Sequence, residues 1–127
     1  MYQVTEDVLD AGALIPSLLK IQNAGSVLIH CAVVREISGQ AVTTSVSYAA
    51  LSGAKEELEA TGQEIQAKWH LGEISLIRRI GRLQPGEIIA IVGVVAARSD
   101  DAFRACEEAV ARLKQMKRIR KEEVFRG

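Results

Sequence analysis

Residues 87–96 constrain the fold of this chain more than any other segment. They read EIIAIVGVVA, an almost unbroken apolar run that is rich in isoleucine and valine. A short run of β-branched residues bounded by turn signals is typical of a strand that is buried on both faces of a sheet. We therefore predict that this segment is the central strand of a sheet.

Three further segments have the patterns of strands. Residues 27–35 form a second apolar run, for which we also expect burial on both faces. Residues 41–48 and 74–80 alternate in the way that is typical of strands with two different faces. Turns are predicted at residues 38–40 and 81–86, where glycine and proline interrupt the apolar pattern.

Helical spacing of apolar residues appears in three segments, at residues 10–21, 51–68 and 101–116. Ser99 is the expected N-cap of the last helix. The apolar face of that helix is expected to consist of Phe103, Cys106, Val110 and Leu113. The order of helices and strands, with short connections between paired strands, predicts one α+β domain over residues 1–127. Its sheet is expected to be mostly antiparallel, with the helices on one side.

The C-terminal segment, residues 111–125, carries a cluster of cations at helical spacing: Lys114, Lys117, Arg118 and Lys121. Part of this cluster is explained by the preference of helix C-termini for positive charge. Because like charges repel one another, a lysine in such a strip would lose its proton more easily and serve as a nucleophile or base. The same strip could instead hold an anion.

Two arginines lie where strands are predicted to end. Arg35 follows an apolar strand, and Arg98 stands between the central strand and the last helix, a kind of connection that commonly binds anions. Either one alone is explained by pairing with one of the 16 acidic residues. Together with the lysine cluster, however, they favour an anion-binding site.

Composition narrows the possible functions. The formal net charge is zero, so a field for nucleic acid around the whole protein is not expected. Two cysteines, Cys31 and Cys106, and two histidines, His30 and His70, give no zinc spacing, and we expect no metal site. His30 is expected to be a core residue. Without an apolar leader or a long apolar run, the expected location is the cytoplasm, with no membrane contact.

Over nearly its whole length, the chain resembles the catalytic (large) subunit family of molybdopterin synthase. The most specific match is residues 77–87, IRRIGRLQPGE. Shorter matches occur in order along the chain, at residues 5–10, 25–35, 48–50, 68–72, 92–94, 102–103, 113–114 and 121–125.

The resemblance implies a hammerhead-type α/β domain and a sulfurtransferase activity without a cofactor. In this family, a small ubiquitin-like sulfur carrier inserts a C-terminal tail that ends in a glycine thiocarboxylate. Sulfur is transferred to cyclic pyranopterin monophosphate, which becomes molybdopterin. The large subunit is implied to be a homodimer within a heterotetramer.

The resemblance also assigns site residues. Lys114 and Lys121 match the two active-site lysines of the family, and Arg35 matches a strand-end arginine of the substrate pocket. The further candidates for substrate binding are Arg98, Lys117 and Arg120. The chain differs from the family where Arg98-Ser99 replaces histidine-arginine, where Arg78 replaces a histidine, and where Arg118 and Arg120 replace proline and tryptophan.

Two alternative functions are left open by the sequence. These substitutions also fit a noncatalytic homologue that binds a ubiquitin-like sulfur carrier as a dimeric scaffold. A nucleic-acid binder that uses the basic C-terminal segment has weaker support, because no aromatic residues are interleaved with the cations.

Overall fold

The structure is a computed structural model that describes residues 1–126, and two sheets form its framework. The first sheet has the strand order β1-β5-β7-β2. These strands are β1 (Tyr2–Thr5), β2 (Ser26–Val33), β5 (Glu73–Arg79) and β7 (Ile88–Ala96). Strand β1 runs parallel to β5, and the other pairs are antiparallel. The predicted central strand is confirmed, because β7 lies between β5 and β2 and is buried over most of its length.

The second sheet is built around one long strand, β4 (Ala41–Ala50). It pairs antiparallel with β3 (Ile37–Ser38), β6 (Gly81–Leu83) and β8 (Ile119–Arg126). Two predictions are corrected here. Part of the expected turn at residues 81–86 is strand β6, and the C-terminal segment that was expected to continue a helix is strand β8.

Helices cover both faces of the first sheet. On one face lie α2 (Ala54–Trp69) and α3 (Ser99–Lys114). The opposite face is covered by α1 (Ile15–Leu19) and the preceding 3-10 turn (Ala11–Ala13). The predicted α+β class, the mostly antiparallel pairing and the three α-helices are confirmed. The prediction that all helices lie on one side is wrong, because Leu14 and Leu18 pack under the other face of the sheet.

Strand β2 is an edge strand rather than a fully buried one. It pairs with β7 alone in the first sheet, and its residues are half-buried, apart from Val33, which is exposed. The apolar run of residues 27–35 was therefore misread as buried on both faces. The C-terminal half of β2, residues 30–33, borders the cavity described below.

Of the predicted apolar face of α3, Cys106 and Leu113 are buried and Val110 is partly buried against the core, whereas the prediction for Phe103 is wrong. Phe103 is 64% exposed, whereas the buried residues of the helix are Ala102, Ala105, Cys106, Ala109 and Leu113. Four of these five residues are alanine or cysteine, so the helix axis can lie close to the sheet. Ser99 is the first helical residue, and the N-cap is Arg98, which makes no side-chain capping hydrogen bond. Within residues 1–126, no helix is long and apolar enough to cross a bilayer.

Candidate functional site

A cavity of about 620 Å³ lies where the two sheets meet, beside the C-terminal end of α3. Its apolar wall is formed by β2, β7, α3 and the start of β8, through residues such as Ala32, Ala90, Val92, Val110, Leu113 and Ile119. The polar residues that line it are His30, Arg35, Tyr48, Arg78, Lys114 and Lys121. Two arginines and two lysines therefore line one cavity, and their positive charges suit the cavity to anionic ligands.

Lys114 and Lys121 reach this cavity from two different elements. Lys114 is the last residue of α3, whereas Lys121 lies in β8 directly opposite Tyr48 of β4. The chain leaves the helix at Gln115 and reverses into the second sheet. The predicted helical strip of four cations is therefore wrong, and so is the crowding argument that depended on it. The two lysines are nevertheless brought together by strand pairing.

Arg35 and Lys121 also line a smaller adjoining cavity of about 210 Å³. Glu123 lies in its wall, where its carboxylate accepts a hydrogen bond from the Thr43 hydroxyl and lies 3.3 Å from Lys121 Nζ. The Thr43 hydrogen bond, followed by Lys121 and Arg35, lowers the pKa of Glu123. Glu123 thus offsets part of the positive charge at the mouth of the site.

Replacing Glu123 by glutamine is expected to change the pH dependence of stability. A carboxyl group whose pKa is lowered in the folded state stabilises the fold above its unfolded pKa of 4.5, and this contribution is lost as the pH falls through the folded value. The wild type should therefore be more stable than Glu123→Gln at neutral pH, and the difference should shrink below pH 4.5. Urea unfolding of both proteins from neutral pH to below pH 4.5 measures this difference in the free energy of unfolding. A difference that stays constant into acid would contradict the assignment.

Arg78 is a site residue that the sequence did not assign. It lies in β5, is only 6% exposed, and lines the cavity with its guanidinium carbon 4.1 Å from the centroid of the Tyr48 ring. Burial lowers the pKa of this guanidinium, and Tyr48 opposes the shift. The available signal was an arginine that alternates with Ile74 and Leu76 on an otherwise apolar strand face.

His30 is placed differently from the expected core position, because it is half-buried on β2 and lines the cavity. The next residue, Cys31, packs against the apolar cluster of Leu14 and Leu18 on the opposite face of the sheet, so only its backbone side borders the cavity. Burial raises the pKa of the Cys31 thiol, which favours its neutral form. In residues 1–126, no group of three or more histidine, cysteine, aspartate and glutamate side chains is arranged to hold a metal ion.

Three of the predicted site residues are not among the residues that line this cavity. Arg98 stands at the opposite end of α3, exposed and paired with Asp100 at 3.3 Å. Lys117 lines a separate cavity of about 340 Å³ beside Glu57. Arg120 is exposed and lies between two cavity-lining residues of β8, so strand alternation directs its side chain to the other face.

Comparisons with known proteins agree with the resemblance in the sequence. Residues 4–116 match the model of the family described as MoaE protein. The molybdopterin synthase catalytic subunit of Staphylococcus aureus is 33% identical over 102 residues, which cover 80% of this chain and 69% of that protein.

Solved structures show the same fold. The crystal structure of molybdopterin synthase from Staphylococcus aureus matches with a TM-score of 0.88 and 27% identity, and the match covers 98% of this chain and 91% of that one. A protein–protein complex of subunits 1 and 2 of the molybdopterin-converting factor from Helicobacter pylori matches with a TM-score of 0.78. At 13% identity, with 97% of this chain and 84% of that one covered, it supports the fold alone.

Proposed function

Because this chain belongs to the MoaE family, we propose that it is the catalytic subunit of a molybdopterin synthase. It is a sulfurtransferase that moves sulfur from the thiocarboxylated small subunit to cyclic pyranopterin monophosphate, yielding molybdopterin. The observation that carries the proposal is the shared cavity of Arg35, Lys114 and Lys121. These residues come from three separate parts of the chain, and they are the ones that the resemblance singled out.

The chemistry suits a cavity lined by cations. Both reactants are anionic, since one ends in a thiocarboxylate and the other carries a phosphate. In each transfer the sulfur forms a bond to a substrate carbon, and a carbon–oxygen bond at that carbon breaks so that the oxygen leaves. Water hydrolyses the bond between the sulfur and the glycine carbonyl carbon, so the tail ends as a carboxylate. Ammonium and guanidinium groups held in a partly apolar cavity stabilise the charge that moves during these steps.

We assign the catalytic role to Lys114 and Lys121, and substrate binding to Arg35. Lys114 ends a helix and Lys121 lies on a paired strand, so both side chains start from fixed backbone positions. Arg98, Lys117 and Arg120 stay proposed as substrate contacts, although none of them lines the cavity of its own chain. Because Arg98 is at the far end of α3, it reaches a substrate only in the cavity of a second chain.

The proposed partner is a small ubiquitin-like sulfur carrier whose C-terminal tail enters the cavity. Support comes from membership of the MoaE family, and the Helicobacter pylori chain with the same fold is bound to a second subunit of its molybdopterin-converting factor. We further propose that the chain works in the cytoplasm, as a homodimer within a heterotetramer.

The test is to mix the purified protein with a thiocarboxylated carrier and cyclic pyranopterin monophosphate, and to assay molybdopterin. Product formation supports the synthase. The alternative is a noncatalytic homologue that binds the carrier as a dimeric scaffold, and it is motivated by Arg98-Ser99 and Arg120 at positions where the family usually has other residues. A stable complex with a carrier from the same source, without product, would favour that alternative.

A further inference from the structure

Two consecutive buried arginines on β5 have different partners. Arg79 is 8% exposed and paired with a carboxylate, with its Nη1 2.5 Å from Glu87 Oε2. Arg78 is 6% exposed, yet it forms no ion pair with any carboxylate in residues 1–126. Its Nη1 donates to the carbonyl oxygen of Ile89 at 3.3 Å, and its Nε has no hydrogen-bond partner among the described residues. The charge of Arg79 is therefore balanced by a carboxylate within the fold, whereas Arg78 has no counter-charge among the described residues and is stabilised only by the Ile89 carbonyl and by Tyr48.

An uncompensated buried charge is costly to a fold. A guanidinium group carries five N–H donors and stays protonated in proteins, so it cannot escape the cost of burial by losing its proton. Burial of a charge is tolerated when a counter-charge and hydrogen bonds replace the lost water. Arg78 packs against the Tyr48 ring but also lines the cavity, so the missing counter-charge can come from a ligand.

We propose that Arg78 forms an oxyanion-binding subsite in this cavity, and that the oxyanion it binds is the phosphate group of the small-molecule substrate. The oxyanion follows from the geometry, whereas its assignment to the substrate rests on the proposed function. Arg35, Lys114 and Lys121 line the same cavity, so a doubly charged group fits its charge better than a singly charged one.

Tyr48 makes Arg78 suitable for this role. Its ring covers one face of the guanidinium at 4.1 Å and holds the plane of that group by a cation–π contact. Because Nε is buried and Nη1 donates to the Ile89 carbonyl, the remaining N–H groups of Nη1 and Nη2 are the ones that can form a planar fork on a phosphate in the cavity. The carrier tail has a different requirement, since its terminal sulfur must reach the reacting carbon beside the catalytic lysines.

The experiment measures binding of inorganic phosphate to the full chain by titration calorimetry, and melting temperature with and without phosphate. Arg78→Met should weaken phosphate binding by about tenfold or more, the loss expected for a charge-assisted hydrogen bond. Without phosphate, it should melt at the temperature of the wild type or above it, because an uncompensated charge has been removed.

Arg79→Met is the matched control on the neighbouring residue. It should melt below the wild type, because the ion pair of the buried Arg79 with Glu87 is lost, but it should keep the wild-type affinity for phosphate. If Arg78→Met does not fold, Arg78→Lys takes its place. Lysine keeps the charge but not the planar fork, so a several-fold loss of phosphate affinity is then expected.

Three results would overturn the proposal. These are a wild type that binds no phosphate, an Arg78→Met variant that binds it as tightly as the wild type, and a tail-like ligand, N-acetyl-glycylglycine, whose binding is weakened more by Arg78→Met than that of phosphate is. Failure of the proposed function is a separate result. If the protein binds phosphate through Arg78 but makes no molybdopterin, the subsite is supported and the synthase function is contradicted. If it makes molybdopterin but its phosphate binding does not depend on Arg78, the synthase function is supported and the subsite is contradicted.

Discussion

Replacing Lys114 by alanine is expected to lower the rate of molybdopterin formation at least about 100-fold, the scale on which a positioned acid–base or charge-stabilising group contributes. Lys114 is the last residue of α3, so the helix fixes its backbone, and its side chain lines the cavity. Its side chain is exposed, so the free energy of unfolding should fall by less than about 1 kcal/mol, mainly through the lost interaction with the helix dipole. The rate is measured with thiocarboxylated carrier and substrate at saturating concentrations.

Two further variants serve as a control and as a test of which property of Lys114 is needed. Lys55→Ala removes an exposed lysine on α2 whose ion pair is with Glu59, and it should leave the rate unchanged. Lys114→Arg keeps the positive charge but not the primary amine. Substantial activity in Lys114→Arg would indicate that Lys114 acts through its charge, whereas loss in both variants would indicate that the amine itself is needed. Full activity in Lys114→Ala would remove Lys114 from the catalytic assignment.

Local periodicity was sufficient to locate the main strands and helices. Strand β7 was predicted within one residue at its start, because a β-branched apolar run leaves few alternatives. Helix α2 was also found, but it begins at Ala54 rather than at residue 51. Gly53 explains the difference, since its φ of 89° lies outside the helical region and ends any helix that would run through it.

Elements that depend on distant partners could not be predicted in this way. The segment that forms β8 has helical spacing of its cations and no clear apolar alternation, so its strand conformation is decided by its pairing with β4 over residues 42–50. Strand β6 has only three residues and is likewise defined by its pairing with β4. Phe103 lies beside the stripe of small residues that packs on the sheet, and periodicity alone permits either stripe.

The site, too, was only partly predictable from the sequence. The family resemblance assigned Lys114, Lys121 and Arg35, and these three do line one cavity. Helical spacing also placed Lys114 and Lys121 on one strip, but for the wrong reason, since Lys121 lies in β8 and reaches the cavity through the pairing of β8 with β4. Arg78 was missed because a buried arginine is ordinarily paired, and a sequence does not show which of two adjacent arginines has the carboxylate.

Replacing Gly25 by alanine is expected to lower the free energy of unfolding by about 3 kcal/mol, the upper range for forcing extra volume into a packed site. Gly25 lies just before β2, and its N–H donates to the carbonyl oxygen of Ala96 at 3.0 Å. A Cβ at this position would lie 2.0 Å from the carbonyl oxygen of Ala97 and 2.9 Å from its carbonyl carbon. Both are backbone atoms, so no side-chain rotation relieves the clash, and β2 must separate from the end of β7.

The loss of stability should lower the melting temperature, measured by circular dichroism, by roughly 10 °C. Gly12→Ala is the matched control. Its Cβ would meet only the Asp10 carboxylate oxygen, at 3.3 Å, and that side chain can move, so the change should stay within about 0.5 kcal/mol. Because β2 places His30 and Ala32 in the wall of the cavity, Gly25→Ala should also weaken substrate binding at temperatures where it is still folded. A Gly25→Ala protein as stable as Gly12→Ala would mean that the first sheet does not need this close approach of β2 to the end of β7.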